Sequence, residues 1–551
     1  MKIRWLLGAL ACGSAVAAPR PPSVEDARIS PQLRLVRDMP HDAQRSWMSE
    51  GRVKRQTGHF KVHVTLTPGL EAESFVREHI GLQKQIDVQV SLGREFQAGI
   101  SFEDLRLLSG FEEVQKIRFP FYASKKEYYS EGTAALFEGE QWSELGITGE
   151  GVTVAVIDVG FEGYDALLGS ELPLYTNADG LADGWEEDNH GAAVAEIIHD
   201  VAPGAQLDLY SFETELEFRK LLQQFVDGEH EADVINASIG FDNVWTADGT
   251  SPYAQAVDAV VEAGIVYVAA AGNEAENYRW GKLTDIDGNG FLEIDGEEGT
   301  WIAGGNYGGD SWAEVSLRWS DPMEGSSTDL DLLVTNETDT VECGRSENPQ
   351  EGDDNPFEYV SCLLDSDWGL AWIADYSEGG FKGKTAWVYS YSGVDESQFV
   401  QDSTLTLPAD AAGALTVGAY LQDEDKIAWY SSQGPTEDGR IKPDVVAPTG
   451  VSTESMGHRA AQGTSFSAPH LAGLAALILE QKPGYSVESL RQYVLKQTRD
   501  LGETGPDSVF GHGAIAVTTL PEGCGCASSE TRRGGWLVLM LFAGVALRRR
   551  P

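Results

Sequence analysis

The sequence predicts an α/β protein whose parallel sheet is interrupted by a β-rich insertion and preceded by a smaller α+β domain. Residues 150–275 and 413–520 alternate short apolar strands with helical stretches, which is typical of a parallel sheet with helices on both faces. Residues 281–404 are rich in Gly, Trp, Asp and Ser and contain no long helical pattern, which indicates β-structure. Residues 60–120 show a separate rhythm of strand and helix patterns.

Composition excludes one class of function and separates the chain into parts of different charge. Of 551 residues, 42% are hydrophobic, so several domains with buried cores are expected. Lys and Arg number 40 against 87 Asp and Glu, a net charge of −47, which argues against nucleic-acid binding because that requires a basic surface. Residues 19–130 hold 17 basic and 15 acidic residues, whereas residues 131–523 hold 16 and 71. This asymmetry favours separate domains that need not remain together in the mature protein.

The N-terminus has the pattern of an export signal. Lys2 and Arg4 precede the short apolar stretch Trp5 to Ala11, and Ala15 to Ala17 fits a small-residue cleavage site. We therefore expect residues 1–17 to be a signal peptide that directs export. The alternative, a membrane anchor, requires a longer apolar run.

Residues 18–130 then read as a small domain of their own. The order of its patterns is β-α-β-β-α-β, which predicts a ferredoxin-like α+β fold. The predicted elements are a strand over Phe60–Leu66, a helix over Glu71–Ile80, strands over Ile86–Leu92 and Glu95–Ile100, a helix from Ser101 and a strand over Val114–Phe119.

The α/β domain is predicted in two parts, residues 131–280 and 405–520, on either side of the insertion. Its strands are short apolar runs, which suits a sheet buried on both faces. The expected strands are Val152–Ile157, Gln206–Tyr210, Val234–Ile239 and Ile265–Ala270, and the expected helices are Ala192–His199, Glu215–Val226, Ala254–Ala263 and Ser467–Gln481.

Three residues in this domain form a combination suited to acyl transfer. Asp158 ends a buried strand, His190 opens an apolar helix, and Ser465 lies at a glycine turn that leads into another apolar helix. Serine attack on an amide needs a base, a group that orients the base, and stabilisation of the oxyanion. His190 would be the base, Asp158 would orient it, and Ser465 would attack. The Asn273 side chain, at the end of another strand, would join the Ser465 backbone N–H as an oxyanion donor.

Longer motifs around these residues carry a family resemblance. The strings Gly463–His470, Val234–Gly240, Tyr430–Pro435 and Ile441–Pro448 resemble those of the subtilisin-like serine proteases, or subtilases, in which Asp, His and Ser follow in this order. The resemblance implies a subtilisin-like sheet and a serine endopeptidase that forms an acyl-enzyme. It also implies a cleft that binds an extended peptide, lined by Ser238, Ile239, Gly240, Ala270, Ala271 and Gly272. Val159 and Ala192 stand where family members usually carry hydroxyl residues.

The same resemblance implies a zymogen. Residues 18–130 would be a propeptide that assists folding, inhibits the enzyme and is cut near Tyr122–Thr133; a permanent accessory domain is the alternative. Its positive balance would complement the acidic body. Protein or peptide substrates and the chain's own propeptide are thus the expected partners. From another functional class, a catalytically silent surface adhesion or binding protein on the same scaffold remains an alternative.

The insertion contains a pattern typical of calcium loops. Oxygen-bearing side chains alternate around glycine turns, as in EF-hand-like sites. The usual closing Glu would fall at Gly296, so Asp295 or Glu297 would take its place; a solvated acidic loop is the alternative. The predicted calcium ligands are the side chains of Asp285, Asp287, Asn289 and Glu293 and the carbonyl of Phe291.

Of the five cysteines, Cys12 lies in the predicted signal peptide and the other four form two groups. Cys343 and Cys362 lie in the insertion and would pair in an oxidising compartment or remain buried thiols. Cys524 and Cys526 begin the tail 521–551, which continues with a short apolar run and ends in arginines. This tail resembles the C-terminal sorting tag of myxobacterial surface proteins, which implies a sorting protease as partner and a cell-surface or extracellular location. A plain tail anchor is the alternative.

Overall fold

The structure is a computed structural model that describes most of the chain between Arg28 and Thr518. The predicted signal peptide 1–17, the tail 521–551 and most of the predicted cut segment lie outside the described residues. Within the described ranges, none of the helices combines the length and apolar character needed to cross a membrane. The described residues are 28–30, 33, 60–80, 86–120, 128–129, 133–137, 146–182, 184–307, 310–339, 341–377, 379–457 and 460–518.

A ten-stranded sheet, here called the central sheet, forms the middle of the α/β domain. Two short strands, Lys426–Ile427 and Thr498–Arg499, pair antiparallel at its periphery, and the other strands run parallel. Because parallel strands end at the same edge, their C-terminal loops converge on one side. Along the sheet the order is Thr498–Arg499, Ala514–Ile515, Val445–Pro448, Leu415–Leu421, Val266–Ala270, Val234–Ala237, Thr153–Asp158, Gln206–Ser211 and Asn177–Gly180, with Lys426–Ile427 beside Leu415–Leu421.

Helices cover both faces of the central sheet, as the apolar strands require. On one face lie His190–Val201, here the histidine helix, Thr464–Gln481, here the serine helix, and Val487–Val494. On the other face lie Glu215–Val226 and Pro252–Glu262. The short helical segments are Thr133–Leu136, Tyr164–Leu167 and Trp185–Glu187. The predicted parallel α/β architecture is thus confirmed.

The described residues 28–120, here the N-terminal domain, form a four-stranded antiparallel sheet with its own core. The chain order is strand, helix, strand, strand, helix, strand, and the two central strands of the sheet come from the first and third strands of the sequence. Its elements are Phe60–Leu66, Ala72–Phe75 continued by a π-helical turn over Val76–Ile80, Asp87–Leu92, Glu95–Ile100, Phe102–Ser109 and Val114–Arg118.

The insertion folds as an eleven-stranded antiparallel sheet structure around a core that includes Trp319. Its first strand begins at Tyr278, only five residues after Asn273, so it leaves the α/β domain close to the predicted oxyanion donor. Cys343 and Cys362 form a disulfide in it. The strands are Tyr278–Thr284, Phe291–Ile294, Glu297–Glu298, Thr300–Ala303, Gly305–Tyr307, Asp310–Trp319, Leu330–Asn336, Glu342–Ser346, Phe357–Leu364, Trp368–Asp375 and Thr385–Ser390.

A small three-stranded sheet joins distant parts of the chain. Val451–Ser452 pairs with Ala460–Gln462, and Ala460–Gln462 also pairs antiparallel with Tyr128–Tyr129. The middle strand leads directly into Gly463 and the serine helix. Tyr128 and Tyr129, from the segment after the N-terminal domain, therefore lie against the strand that precedes Ser465.

Candidate active site

Asp158 is the last residue of its strand and is completely buried at the carboxyl edge of the central sheet. Its Oδ1 accepts a hydrogen bond from the backbone N–H of Val159 at 2.8 Å. The same oxygen lies 2.8 Å from His190 Nδ1, and Oδ2 lies 3.0 Å from it. Burial raises the pKa of Asp158, while His190 and the Val159 N–H oppose that rise because they favour the carboxylate.

His190 is held at the first position of the histidine helix. Its backbone N–H donates to Asp188 Oδ1 at 2.9 Å, which fixes the start of the helix. Its ring centroid lies 5.2 Å from that of Phe466, the residue after Ser465. Since Asp158 holds Nδ1, the tautomer with the proton on Nδ1 leaves Nε2 as the basic nitrogen of the ring.

Two glycines allow the aspartate and histidine segments to approach each other. A Cβ on Gly191 would lie 2.6 Å from the carbonyl oxygen of Gly160 and 2.7 Å from Asp158 Cβ, and a Cβ on Gly160 would lie 2.5 Å from Asp188 Cβ. The backbone N–H of Gly191 donates to the Gly160 carbonyl at 2.9 Å. The Gly after His190 is therefore required by packing against the aspartate segment.

Ser465 lies in the first turn of the 18-residue serine helix and is 1% exposed. Its Oγ donates to the carbonyl of Ser238 at 3.2 Å, and Ser238 Oγ donates to the carbonyl of Ser465 at 2.7 Å. Backbone N–H groups of a first helical turn lack acceptors within the helix, and the helix dipole favours negative charge there. The Ser465 N–H is thus suited to stabilising an oxyanion.

The Asn273 side chain is oriented by the start of the same helix. Its Oδ1 accepts from the Thr464 backbone N–H at 2.9 Å and from Thr464 Oγ1 at 3.1 Å. Thr464 Oγ1 in turn accepts from the Gly272 N–H at 3.1 Å. These bonds assign the amide oxygen, so the Asn273 amide nitrogen is the end available as a donor. The sequence contained Thr464 within a motif but indicated no role for it.

Ser467 and His470 are the other hydroxyl and imidazole of this helix. Ser467 Oγ bonds the Gly463 carbonyl at 3.5 Å, and His470 Nδ1 bonds the Phe466 carbonyl at 2.8 Å. Burial lowers the pKa of His470 to about 4. The Ser467 hydroxyl and His470 Nδ1 are thus bonded at the start of their own helix, which agrees with roles in helix capping and packing.

The two predicted cleft segments end neighbouring strands and meet at Thr406. The first segment follows the strand Val234–Ala237 and consists of Ser238, Ile239 and Gly240. The second begins with Ala270, the last residue of the strand Val266–Ala270, and continues with Ala271 and Gly272. A Cβ added to Gly240 would lie 2.0 Å from Thr406 Oγ1, and one added to Gly272 would lie 3.1 Å from Thr406 Cβ. Thr406 therefore lies between the two segments.

The backbone of the second segment is already paired inside the domain. The Ala271 N–H donates to the Val417 carbonyl, and the Ala271 carbonyl accepts from the Thr406 N–H, each at 3.0 Å. This segment is thus suited to forming a wall of the cleft, whereas an added strand of substrate would have to pair with the other segment, Ser238–Gly240.

A tyrosine of the insertion bonds to residues that follow the two predicted cleft segments. Tyr389 Oη lies 2.9 Å from Glu274 Oε2 and 3.2 Å from Asp242 Oδ2. Glu274 follows Asn273, Asp242 follows the Ser238–Gly240 segment, and Thr406 Oγ1 donates to Asp242 at 2.8 Å. Burial raises the pKa of Tyr389 well above its usual value, and both carboxylates add to the rise. The sequence indicated a strand here but no reason to select Tyr389.

The predicted calcium loop brings three carboxylates together, and one of them differs from expectation. Carboxylate oxygens of Asp287, Glu293 and Glu298 lie within 4.8 Å of one another. A hairpin turn at Gly296 pairs Glu293 with Glu298, so Glu298 lies in this cluster, where the sequence suggested Asp295 or Glu297. Strand pairing brings Glu298 close to Asp287 and Glu293, and the spacing of the loop motif gave no indication of it.

The other predicted ligands make hydrogen bonds within the loop. Asp285 Oδ1 accepts from the Gly288 N–H at 2.8 Å, and Asn289 Oδ1 accepts from the Phe291 N–H at 2.7 Å. Burial raises the pKa of Glu298, and the nearby carboxylates raise it further. These oxygen donors fit a hard cation such as Ca²⁺, which would relieve that repulsion.

Known protein sequences resemble this chain over much of its length. The family model described as the subtilase family matches residues 149–316 and 378–513 and leaves out the middle of the insertion. The minor extracellular protease Vpr of Bacillus subtilis (strain 168) is 27% identical over 442 residues, covering 68% of this chain and 52% of the relative. Subtilisin BL of Lederbergia lenta is 32% identical over 117 residues, covering 20% of this chain and 39% of the relative. The chain thus spans about half the length of Vpr.

Comparison with solved structures gives the same fold. The structure of the Clostridium perfringens CspB protease aligns with a TM-score of 0.51 at 19% sequence identity, covering 70% of this chain and 97% of that protein. At this identity the likeness establishes the shared fold alone.

Proposed function

Because the chain belongs to the subtilase family of serine endopeptidases, we propose that it hydrolyses peptide bonds with Asp158, His190 and Ser465 as its catalytic triad. The observation that carries the proposal is the buried pair of His190 Nδ1 and Asp158 Oδ1, 2.8 Å apart, next to the start of the serine helix. This pairing orients the ring and stabilises the imidazolium that forms during attack.

The reaction would proceed in two steps. Ser465 Oγ attacks the substrate carbonyl while its proton passes to His190 Nε2, and the oxyanion is stabilised by the Ser465 N–H and the Asn273 amide. The proton is then given to the leaving amine, which departs and leaves an acyl-enzyme. Water hydrolyses that ester with His190 again acting as base.

The substrate would lie between the two cleft segments, with its backbone pairing along Ser238, Ile239 and Gly240. Ala270, Ala271 and Gly272 would form the facing wall. The packing of Thr406 against both Gly240 and Gly272 supports this arrangement, because it holds the two segments beside each other.

We further propose that the protein is made as a zymogen with residues 18–130 as a ferredoxin-like propeptide. The sheet order and chain order of the N-terminal domain support that fold. The pairing of Tyr128–Tyr129 with Ala460–Gln462 supports a path for the connecting segment beside the serine, where a cut near Tyr122–Thr133 would release the propeptide.

The insertion would hold a structural Ca²⁺ at Asp287, Glu293 and Glu298, with Asp285, Asn289 and the Phe291 carbonyl nearby. The cluster of three carboxylates supports this proposal. Added Ca²⁺ is expected to raise the melting temperature of the Ser465→Ala chain and to have a smaller effect after Glu298→Gln. Glu342→Gln, in an exposed pair elsewhere in the insertion, is the matched control. Equal effects of Ca²⁺ on all three chains would contradict the site.

Export and surface attachment complete the proposal. The pattern of residues 1–17 and the extracellular location named for the relative Vpr support export. Removal of the tail 521–551 by a sorting protease would leave the mature protein at the cell surface or outside the cell.

The decisive experiment compares the full chain with its Ser465→Ala variant. Self-cleavage near residue 130 and labelling by a fluorophosphonate are expected in the unchanged chain only. An intact N-terminal domain and no labelling in both chains would overturn the proposal and favour a silent binding protein on this scaffold.

A further inference from the structure

The N-terminal domain contacts the α/β domain through charged pairs at the start of the helix that begins at Glu215. His63 Nδ1 lies 2.6 Å from Glu215 Oε1, and Arg118 Nη2 donates to the same oxygen at 2.7 Å. Lys61 forms an ion pair with Glu213. Burial alone would raise the pKa of Glu215, but Arg118 and His63 outweigh it and lower that pKa to about 2. The carboxylate is thus held charged in a buried contact between the two domains.

A second contact reaches the insertion. Arg94 Nη2 donates to both carboxylate oxygens of Glu324, at 2.8 and 3.0 Å, and Lys116 forms an ion pair with Asp354. Arg94 Nη1 also donates to Gln115 at 2.9 Å, so its guanidinium is supported from within the N-terminal domain. The domain is therefore bound by two parts of the protein that are separate in sequence.

The two carboxylates of the insertion lie on neighbouring turns that are bonded to each other. The Glu324 N–H donates to Asn355 Oδ1 at 2.7 Å, and the Ser326 N–H donates to the Asp354 carbonyl at 2.9 Å. Glu324 has a φ of 56°, a left-handed conformation that residues other than glycine seldom adopt. These contacts hold both carboxylates on the side of the insertion that faces Arg94 and Lys116.

The distribution of charge along the chain favours this contact between the N-terminal domain and the rest of the protein. Residues 19–130 carry 17 basic and 15 acidic residues, against 16 and 71 in residues 131–523. The acidic body therefore attracts the N-terminal domain, and the five charged pairs described above direct it to one position.

We propose that the insertion is a second docking site for the N-terminal domain, and that Glu324 and Asp354 set how long this domain stays bound after it is cut. The inference rests on the proposed zymogen function. The insertion would thus prolong latency, the period in which the cut N-terminal domain still inhibits the enzyme. Loss of the two carboxylates would speed release of that domain without altering the triad or the cleft.

The docking itself is tested without catalysis. In the Ser465→Ala chain, hydrogen–deuterium exchange of residues 86–100 and 114–118 is measured with and without Glu324→Gln and Asp354→Asn. Faster exchange in the double variant is expected, while the control Glu342→Gln, which affects only the Arg345 pairs of the insertion, leaves exchange unchanged. Unchanged exchange in a folded double variant would overturn the proposal, whether or not the chain proves to be a protease.

The effect on latency is measured in the active chain. Exposed ion pairs contribute little each, so losing two should shorten the lag before peptide hydrolysis by about 3- to 10-fold, with the final specific activity unchanged. Higher ionic strength should shorten the lag of the unchanged chain more than that of the double variant. Equal lags for the double variant and the Glu342→Gln control would contradict the role in latency. Absence of activity from every chain would instead refute the proposed protease function.

Discussion

Replacing Gly191 with alanine tests the packing that joins Asp158 to His190. By local preference the change is favourable, since alanine in a helix is about 1 kcal/mol better than glycine. The tertiary contacts oppose it, because the new Cβ would lie 2.6 Å from the Gly160 carbonyl oxygen and 2.7 Å from Asp158 Cβ. Helix propensity and packing therefore predict opposite signs.

The size of the effect follows from these distances. Ordinary Cβ contacts begin near 3.4 Å, so relieving a 2.6 Å contact requires a shift of about 0.8 Å between the histidine helix and the aspartate segment. A shift of that size would lengthen the 2.8 Å contact between His190 Nδ1 and Asp158 Oδ1 beyond hydrogen-bonding range. Overpacking costs about 1–3 kcal/mol of stability, and a misplacement near 1 Å costs about 100-fold in rate.

The assay is kcat/KM for a short chromogenic peptide, measured once separation of the N-terminal domain has been verified on a gel. Circular dichroism and the melting temperature report the fold of the same preparation. The matched control is Gly484→Ala, since a Cβ on Gly484 has nothing within 4 Å. A Gly191→Ala protein that folds and keeps the activity of the control would refute the packing argument.

Three further predictions concern the oxyanion, the insertion and pH. Asn273→Ala should lower kcat by about 10²–10³-fold with little change in KM, because only the transition state needs that donor. Tyr389→Phe should cost about 1–3 kcal/mol of stability in urea unfolding and should lower peptide hydrolysis, because Glu274 beside Asn273 loses a buried partner. Burial and the neighbouring carboxylates Asp329 and Glu347 raise the pKa of Asp331 to about 7. Its protonated form is favoured in the fold, so this contribution to stability is lost as pH rises from about 4 through 7. Asp331→Asn should therefore gain stability over the unchanged chain across that range, by about 2 kcal/mol after allowance for solvent screening.

Each of these has a matched control. Asn277→Ala, Tyr376→Phe and Asp353→Asn make the same chemical changes at partly or fully exposed positions. A rise in KM with unchanged kcat for Asn273→Ala, unchanged unfolding for Tyr389→Phe, or a pH-independent effect for Asp331→Asn would contradict the respective argument. The Asp331 series is run in a chelator, so that bound cations do not contribute.

The sequence by itself determined the α/β architecture, its interruption and the residues of the candidate triad. Buried parallel strands leave continuous apolar runs, and their carboxyl ends meet at one edge, so Asp158 could be placed in that edge from the pattern alone. Likewise, an apolar helical pattern begins at His190 and another begins beside Ser465, so the pattern placed both residues at helix N-termini. These features depend on local periodicity and on a general rule of sheet topology.

Only the tertiary structure decided which other residues contact the candidate sites and where the N-terminal domain is bound. The orientation of the Asn273 amide depends on Thr464, the link between the two predicted cleft segments depends on Tyr389, and the carboxylate that joins Asp287 and Glu293 is Glu298. Docking of the N-terminal domain on Glu324 spans 230 positions of sequence. The physical reason is that such contacts are set by pairing between distant strands and loops, which leave no period or spacing in the chain.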